Sequence, residues 1–268
     1  MPRAFVIRGW LVSRWLETVI GRIEGHTMKH VRAFLGCAAL CAALGTTATT
    51  ATTAAVHAPN IRLRAGTSTN WSGYSTTGAP GSFQSASGTW VQPSVSCTGQ
   101  NTYAAFWVGL DGDGTSTVEQ LGTEADCIGG QAQYSSWIEM YPRRSYSTPI
   151  TVVPNHKYAA SVVSLGSGNF RLSLQDVTAG TQPFTTVQKL NQAKLGSAEA
   201  IAEAPSGGGV LPLSNFGTVQ FSNVMVNGVT MTSPPAQSID MVNSSGGIKA
   251  QTSGLNKGAF SITWKSAT

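Results

Sequence analysis

Short segments in which hydrophobic and polar residues alternate recur along most of the chain. Glycine, proline and asparagine separate these segments, and beyond residue 58 no window longer than ten residues sustains a helical period. The clearest segments are 102–110, 133–141, 157–165, 169–177, 217–226 and 258–265. Short alternating runs divided by turn residues are typical of half-buried strands. The pattern therefore predicts an all-β fold, an antiparallel β-sandwich.

The N-terminal region has a different pattern. From Met28 the sequence MKHVRAFLGCAALCAALG combines basic residues with an apolar run, and TTAAVHA follows with small residues at candidate cleavage sites. This order is typical of a secretory signal peptide, and the apolar run is too short to favour a transmembrane helix. We expect an N-terminal extension and signal peptide at 1–58, a short disordered lead-in at 59–69 and the folded domain at 70–268. The mature protein is expected to be secreted, with no membrane association.

The positive charge of the chain lies mostly in this N-terminal region. The whole sequence has a formal net charge of +5, whereas residues 59–268 contain 11 Lys and Arg against 10 Asp and Glu. A nucleic-acid-binding domain needs positive charge clustered on its folded surface. The near-neutral mature domain therefore gives no indication of a nucleic-acid partner.

Two cysteines remain after the signal peptide. Cys37 and Cys41 belong to the signal, and Cys97 and Cys127 to the mature domain. Two cysteines in an exported domain usually pair, so we expect a Cys97–Cys127 disulfide, with two free buried thiols as the alternative. Neither cysteine is a good candidate nucleophile.

Alternation also divides the side chains of two segments between two faces. In 133–141 one face carries Gln133, Ser135, Trp137, Glu139 and Tyr141, which suits a polymer-binding groove or, on this segment alone, an ordinary solvated face. In 196–204 Glu199 and Glu203 share a face, and alanines form the other. From spacing alone, these two carboxylates are typical of a solvated edge strand.

Few kinds of catalytic chemistry fit this composition. His156, in a turn-like sequence, is the only histidine of residues 59–268, which excludes a His-rich zinc site, and GxSxG and HExxH do not occur. The sequence DGDGTS at 111–116 resembles part of a calcium loop but lacks its terminal Glu, so a glycine-rich turn is the better interpretation. We expect no metal and no cofactor, and any catalysis must come from carboxylates, amides and hydroxyls.

Six segments in order resemble the glutamic peptidases known as eqolisins. They are NWSGY (70–74), FWVGLDGDG (106–114), VEQLG (118–122), YSSWIEMYP (134–142), AEAIAE (198–203) and VLPLSNFGTVQF (210–221). The fifth is similar to the Ala-Glu-x-Ile-x-Glu segment that carries the catalytic Glu of the family. Each segment alone is weak, but six in the right order are specific.

The resemblance implies a two-sheet, lectin-like jelly-roll sandwich whose concave face binds an extended polypeptide. It implies a catalytic dyad of Gln120 and Glu199, in which Glu199 takes a proton from water and returns it to the leaving amine while Gln120 stabilises the oxyanion. Glu203 would be a secondary acid. The residues expected to bind substrate or line the cleft are Trp71, Trp107, Asp111, Trp137, Glu139 and Tyr141. We expect a monomeric endopeptidase that acts in acid. Acid action is expected because a carboxylate base is still partly ionised at a pH where a histidine would be protonated.

Two departures and two alternatives accompany this prediction. Ser135 stands where the family has Asp, and Glu119 replaces an apolar neighbour of Gln120, where an unpaired buried charge is costly. A glycoside hydrolase would need a second carboxylate facing Glu199, for which Glu139 is the candidate. A non-catalytic module would use the tryptophans as a carbohydrate- or peptide-binding platform.

Overall fold

The computed structural model describes residues 55–268, so the predicted extension and most of the predicted signal peptide lie outside the described residues. Within that range the chain forms seventeen strands and no α-helix, and so contains no helix that could cross a membrane. The predicted all-β class is confirmed.

Each alternating segment of the sequence forms a strand. The strands are β1 (Arg62–Arg64), β2 (Thr67–Ser68), β3 (Trp71–Thr77), β4 (Ser85–Val91), β5 (Ala105–Leu110), β6 (Val118–Ile128), β7 (Gln131–Tyr141), β8 (Tyr146–Ser147), β9 (Lys157–Gly166), β10 (Asn169–Asp176), β11 (Phe184–Lys189), β12 (Ser197–Glu203), β13 (Thr218–Val226), β14 (Val229–Thr230), β15 (Gln237–Val242), β16 (Ile248–Thr252) and β17 (Phe260–Trp264).

The strands form two sheets that share β15. The first sheet has the order β15-β3-β12-β5-β6-β7-β8, and the second has the order β11-β10-β9-β4-β13-β17-β16-β15. All of these pairings are antiparallel, and β2 joins β15 by a short parallel pairing. Connections of this kind between antiparallel sheets are typical of a β-sandwich.

A large hydrophobic core lies between the two sheets. The inner face of β12 contributes only alanines, Ala198, Ala200 and Ala202, all fully buried. Larger side chains such as Phe106 of β5 and Trp90 of β4 fill the space around them. Cys97 and Cys127 form the expected disulfide.

Two sequence expectations differ from the structure. β12 is not a solvated edge strand: it lies between β3 and β5 in the middle of the first sheet, and both of its glutamates are buried. The segment 59–69 is not a disordered lead-in, because it carries β1 and β2. Asn70 holds it in place by accepting a hydrogen bond from the Ile61 amide at 2.7 Å.

Candidate active site

The outer face of the first sheet carries most of the polar and aromatic side chains that the sequence motifs contain. Strand register arranges them in three parallel rows. The first row is Ser75, Glu199, Gly109, Gln120 and Glu139; the second is Gly73, Ile201, Trp107, Gly122 and Trp137; the third is Trp71, Glu203, Ala105, Glu124 and Ser135. Because alternate residues of a strand point to the same side, all of these side chains share one face.

An extended N-terminal segment, residues 55–61, covers this face. The Val56 amide and carbonyl pair with Ser206 at 2.9 and 2.8 Å, and the Asn60 amide donates to the Gly112 carbonyl at 3.1 Å. His57, in the middle of the segment, is only 1 % exposed. The face of β7 that carries Trp137 and Glu139 is therefore buried, where the sequence pattern alone favoured a solvated face.

Gln120 is fully buried and contacts both the segment and β7. Its Nε2 donates to the carbonyl oxygen of His57 at 2.8 Å and to Glu139 Oε2 at 3.2 Å. The same Glu139 oxygen accepts the backbone N–H of His57 at 3.1 Å. Burial raises the pKa of Glu139 to about 8, with the nearby Glu203 acting in the same direction and His57 against it.

Glu203 lies beside the side chain of the same residue, His57. Its Oε2 accepts a hydrogen bond from Trp107 Nε1 at 2.9 Å and lies 3.4 Å from His57 Nδ1. Burial raises the pKa of Glu203, but His57, the Trp107 N–H and the backbone amide of Ala58 each favour its ionised form. Gln120 therefore contacts the carbonyl of His57, and Glu203 lies beside the His57 side chain.

The imidazole of His57 occupies a pocket made of one aromatic ring and two carboxylates. It stacks on Trp137 with ring centroids 3.5 Å apart, and its Nε2 lies 3.3 Å from Glu124 Oε1. Burial alone would lower the pKa of His57, but Glu124 and Glu203 outweigh that effect and raise it to about 10. Burial would raise the pKa of Glu124, but His57 and the Ser135 hydroxyl, which donates at 2.6 Å, lower it.

Glu199 lies in the row of Gln120 but two strands away, with Gly109 between them. The Trp107 ring covers Gly109, where an added Cβ would come within 2.9 Å of Trp107 Cζ3. Within residues 55–268, neither carboxylate oxygen of Glu199 has a hydrogen-bond partner at normal distance. Burial raises its pKa well above the usual value; Ser197 opposes the shift, whereas Asp113, Asp111 and Glu119 add to it. The structure therefore does not bring Glu199 into contact with Gln120.

Three of the other predicted cleft residues have supporting positions. Asp111 is buried, and its carboxylate accepts backbone N–H groups of residues 194, 195 and 196 at 2.7 to 2.8 Å, which fixes the turn before β12. Trp71 packs edge-on against Trp107 and donates its Nε1 hydrogen to the Ala58 carbonyl at 3.0 Å. Tyr141 is half-buried at the edge of this aromatic cluster.

Two residues of this site were not predicted from the sequence. Glu124 is four residues after Gln120 in β6, so period-two alternation was a usable signal that both share a face. His57 carried no such signal, since it precedes the region in which strand patterns were found. The described residues contain no group of three or more His, Cys, Asp or Glu side chains arranged to hold a metal ion.

Comparisons with known proteins agree with the geometry. A model of the Peptidase A4 family matches residues 69–264. Scytalido-glutamic peptidase, solved with a transition state analog inhibitor, is 22 % identical over 74 % of this chain and 98 % of its own, with a TM-score of 0.65. SCP-B, an eqolisin solved with the tripeptide Ala-Ile-His, is 21 % identical over the same shares, with a TM-score of 0.60.

A third solved structure extends the same likeness. Aspergilloglutamic peptidase from Aspergillus niger is 25 % identical over 61 % of this chain and 99 % of its own, with a TM-score of 0.56. No curated protein sequence matches the chain significantly. The family match covers most of the chain and includes both Gln120 and Glu203. The chain therefore belongs to the Peptidase A4 family, the glutamic peptidases that its sequence motifs resemble.

Proposed function

We propose that the protein is an exported, acid-acting endopeptidase whose catalytic dyad is Gln120 and Glu203. One observation carries the choice of dyad: Gln120 Nε2 donates to the carbonyl of His57 at 2.8 Å, and Glu203 Oε2 lies 3.4 Å from Nδ1 of the same residue. This replaces the expected pairing of Gln120 with Glu199. Neither carboxylate oxygen of Glu199 has a hydrogen-bond partner among the described residues, and nearby acidic groups favour its protonated form.

Hydrolysis follows from the positions of these two groups. Glu203 in its ionised form takes a proton from the attacking water and later gives it to the leaving amine. Gln120 donates to the carbonyl oxygen as that oxygen gains negative charge. Trp107 holds Glu203 by a hydrogen bond, and Glu139 holds the Gln120 amide, so both reacting groups are oriented in advance.

Substrate binding is supported by the segment that already crosses the site. Residues 56–61 form backbone hydrogen bonds with the sandwich as an extended peptide would. The tripeptide Ala-Ile-His in the SCP-B complex has the same order of residue types as Ala55-Val56-His57 here. Export is supported by the signal-like sequence and the disulfide. Acid action is supported by a carboxylate base with no histidine among the catalytic groups.

Cleavage of an acid-denatured protein by Glu203→Gln, Glu199→Gln and Gln120→Ala variants tests the dyad. We expect Glu203→Gln to lower kcat by about 10³-fold or more and Gln120→Ala by about 10²- to 10³-fold. Glu199→Gln is the matched comparison, because it makes the same change on the same face of β12. We expect it to retain most activity, and an aspartic-protease inhibitor and a chelator to leave the wild type unaffected.

The opposite order of effects would return the catalytic role to Glu199. Full activity of Glu203→Gln, together with loss in a folded Glu199→Gln protein, would overturn the proposed dyad. An activity maximum near neutral pH would contradict acid action while leaving the dyad in place.

A further inference from the structure

We propose that Lys249 and the cavity beside it bind a carboxylate ion that carries a short aliphatic group. The cavity has a volume of about 340 Å³. Its lining includes four apolar and two polar residues, Val210, Leu211, Pro212, Val242, Asn243 and Lys249. None of these six belongs to the three rows on the outer face of the first sheet, so this site is separate from the proposed active site.

Lys249 is a buried charged residue without an ionic partner in the described part of the chain. It is only 4 % exposed, and no ion pair within residues 55–268 includes it. Burial lowers the pKa of Lys249 to about 8, and no carboxylate acts against that shift. Lysine is almost never buried unless it is paired, because an isolated buried charge is costly. Below about pH 8 the amine is therefore a positive charge that lacks a negative partner.

The backbone fixes Lys249 in an unusual position in its strand. Its two neighbours in β16 pair with consecutive residues of β15, so Lys249 is the extra residue of a β-bulge. Its carbonyl oxygen accepts the backbone N–H groups of Lys265 at 2.7 Å and Ser266 at 3.1 Å. A bulge changes the direction of a side chain and is often found beside a functional site. The bulge thus holds Lys249 at the wall of the cavity.

Asn243 supplies a second hydrogen-bond donor to the same cavity. Its Oδ1 accepts the backbone N–H groups of Ser245 at 3.1 Å and Gly247 at 2.7 Å, which fixes the side-chain amide. Its Nδ2 donates to no other residue within 55–268, so it can donate to a ligand. A carboxylate has two oxygens, one for the Lys249 ammonium and one for this amide.

The rest of the lining determines what accompanies the carboxylate. Val242 is buried, and residues 210–212 are half-buried, so the ligand meets an apolar surface beyond the two donors. A volume of about 340 Å³ is at the lower end of the range for small-molecule sites, about 300 to 1,000 Å³. A single cation suits a singly charged group better than a phosphate. The cavity therefore favours a short aliphatic carboxylate.

Two sources present this chemistry, a free carboxylic acid and the C-terminal end of a peptide whose last residue is aliphatic. The compound 4-methylpentanoate represents the free acid, and N-acetyl-leucine represents the peptide end. The two share the same branched side group and differ in the acetylated amide. The tighter binder of the two identifies the source.

The test is titration calorimetry and thermal unfolding of the purified full-length chain at about pH 6.5. At this pH carboxylates are ionised and Lys249 is charged. We expect at least one of the two compounds to bind with a Kd of about 1 mM or tighter and to raise the Tm. N-acetyl-leucine amide has the same shape without the charge and should bind at least about 10-fold more weakly than N-acetyl-leucine.

Three variants assign the binding to Lys249. Lys249→Met keeps a chain of similar size and should weaken binding by about 10- to 100-fold. Without ligand its Tm should equal or exceed that of the wild type, because an uncompensated buried charge is gone. Lys249→Arg keeps the charge and should bind within about 10-fold of the wild type. Lys265→Met is the matched control, since it removes the same charge from an exposed neighbouring position and should bind like the wild type.

Several results would overturn the proposal. They are no binding of either acid, equal binding of N-acetyl-leucine amide, and wild-type binding by a folded Lys249→Met protein. An equal loss of binding in Lys265→Met would show attraction to positive charge in general and would also overturn it. Because all of these measurements follow binding and not peptide cleavage, failure here leaves the proposed function untouched.

Discussion

Glu119 shows how the chain keeps a carboxyl group in its core. It neighbours Gln120 in β6 but points to the opposite side, where it is fully buried. Burial raises its pKa to about 9, with Asp111 acting in the same direction. The group is therefore neutral in acid and across most of the neutral range, which avoids the cost expected for an unpaired buried charge at this position.

A stability test follows at this residue. A carboxyl group whose folded pKa is raised binds more protons in the folded state, so its stabilisation is complete below the unfolded pKa and is lost as pH rises toward about 9. Glu119→Gln should remove that loss, so the variant's Tm should exceed the wild type's at about pH 9 and match it at about pH 4. Thermal unfolding at both values measures this. A Tm difference that is the same at both values would contradict the shift.

The first sheet positions the proposed dyad through small residues in its central strands. Gly109 of β5 leaves room for the Trp107 ring, and that ring donates the hydrogen bond that holds Glu203. On the inner side, the alanines of β12 allow β12 to pack closely against the core. Strand β12 is therefore apolar and closely packed on its inner side, and it carries the carboxyl groups of Glu199 and Glu203 on its outer side.

Gly109→Ala tests this positioning role. The new Cβ would lie 2.9 Å from Trp107 Cζ3 and 3.1 Å from Gln120 Cβ, so both side chains must move. Misplacement of reacting groups by about 1 Å can cost about 10²-fold in rate, and we expect kcat to fall by about 10- to 100-fold. Gly254→Ala is the control, since nothing lies near its added Cβ. Wild-type kcat in a Gly109→Ala protein would contradict the role.

At the scale of the whole molecule, one disulfide ties the end of β6 to the loop before β5. Cys97 and Cys127 are separated by 30 residues. Cross-links of this length restrict the unfolded chain, which is the usual basis of their stabilising effect.

Replacing both cysteines with alanine should lower the free energy of unfolding by about 3 to 4 kcal/mol. Denaturant unfolding of the variant beside the wild type measures the difference. Activity measured well below the transition should be kept, because neither sulfur contacts Gln120 or Glu203. Loss of activity in a folded variant would show that the disulfide also shapes the cleft.

The sequence by itself predicted the all-β class, six of the longer strands, which residues of a strand share a face, the disulfide and the family. Alternation with period two is a local property, so it is enough to place Trp137 with Glu139 and Glu199 with Glu203. The ordered motifs identified the glutamic peptidases and placed Gln120 in the cleft. These features depend on residues that are close in the chain or on patterns that recur in a fixed order.

Only the tertiary structure showed that Glu203 lies beside His57, that Glu199 does not contact Gln120, and that residues 55–61 cover the site. Glu199 and Glu203 share a face, so alternation cannot separate them. The pairing of β12 with β5 and of β5 with β6 gives Glu199 and Glu203 different neighbours. The Trp107 ring lies over Gly109, which is the residue between Glu199 and Gln120 in their row. His57 contacts Glu124 and Glu203, and these three residues are far apart in sequence. Such contacts depend on long-range packing and on the desolvation it produces, which a local pattern does not contain.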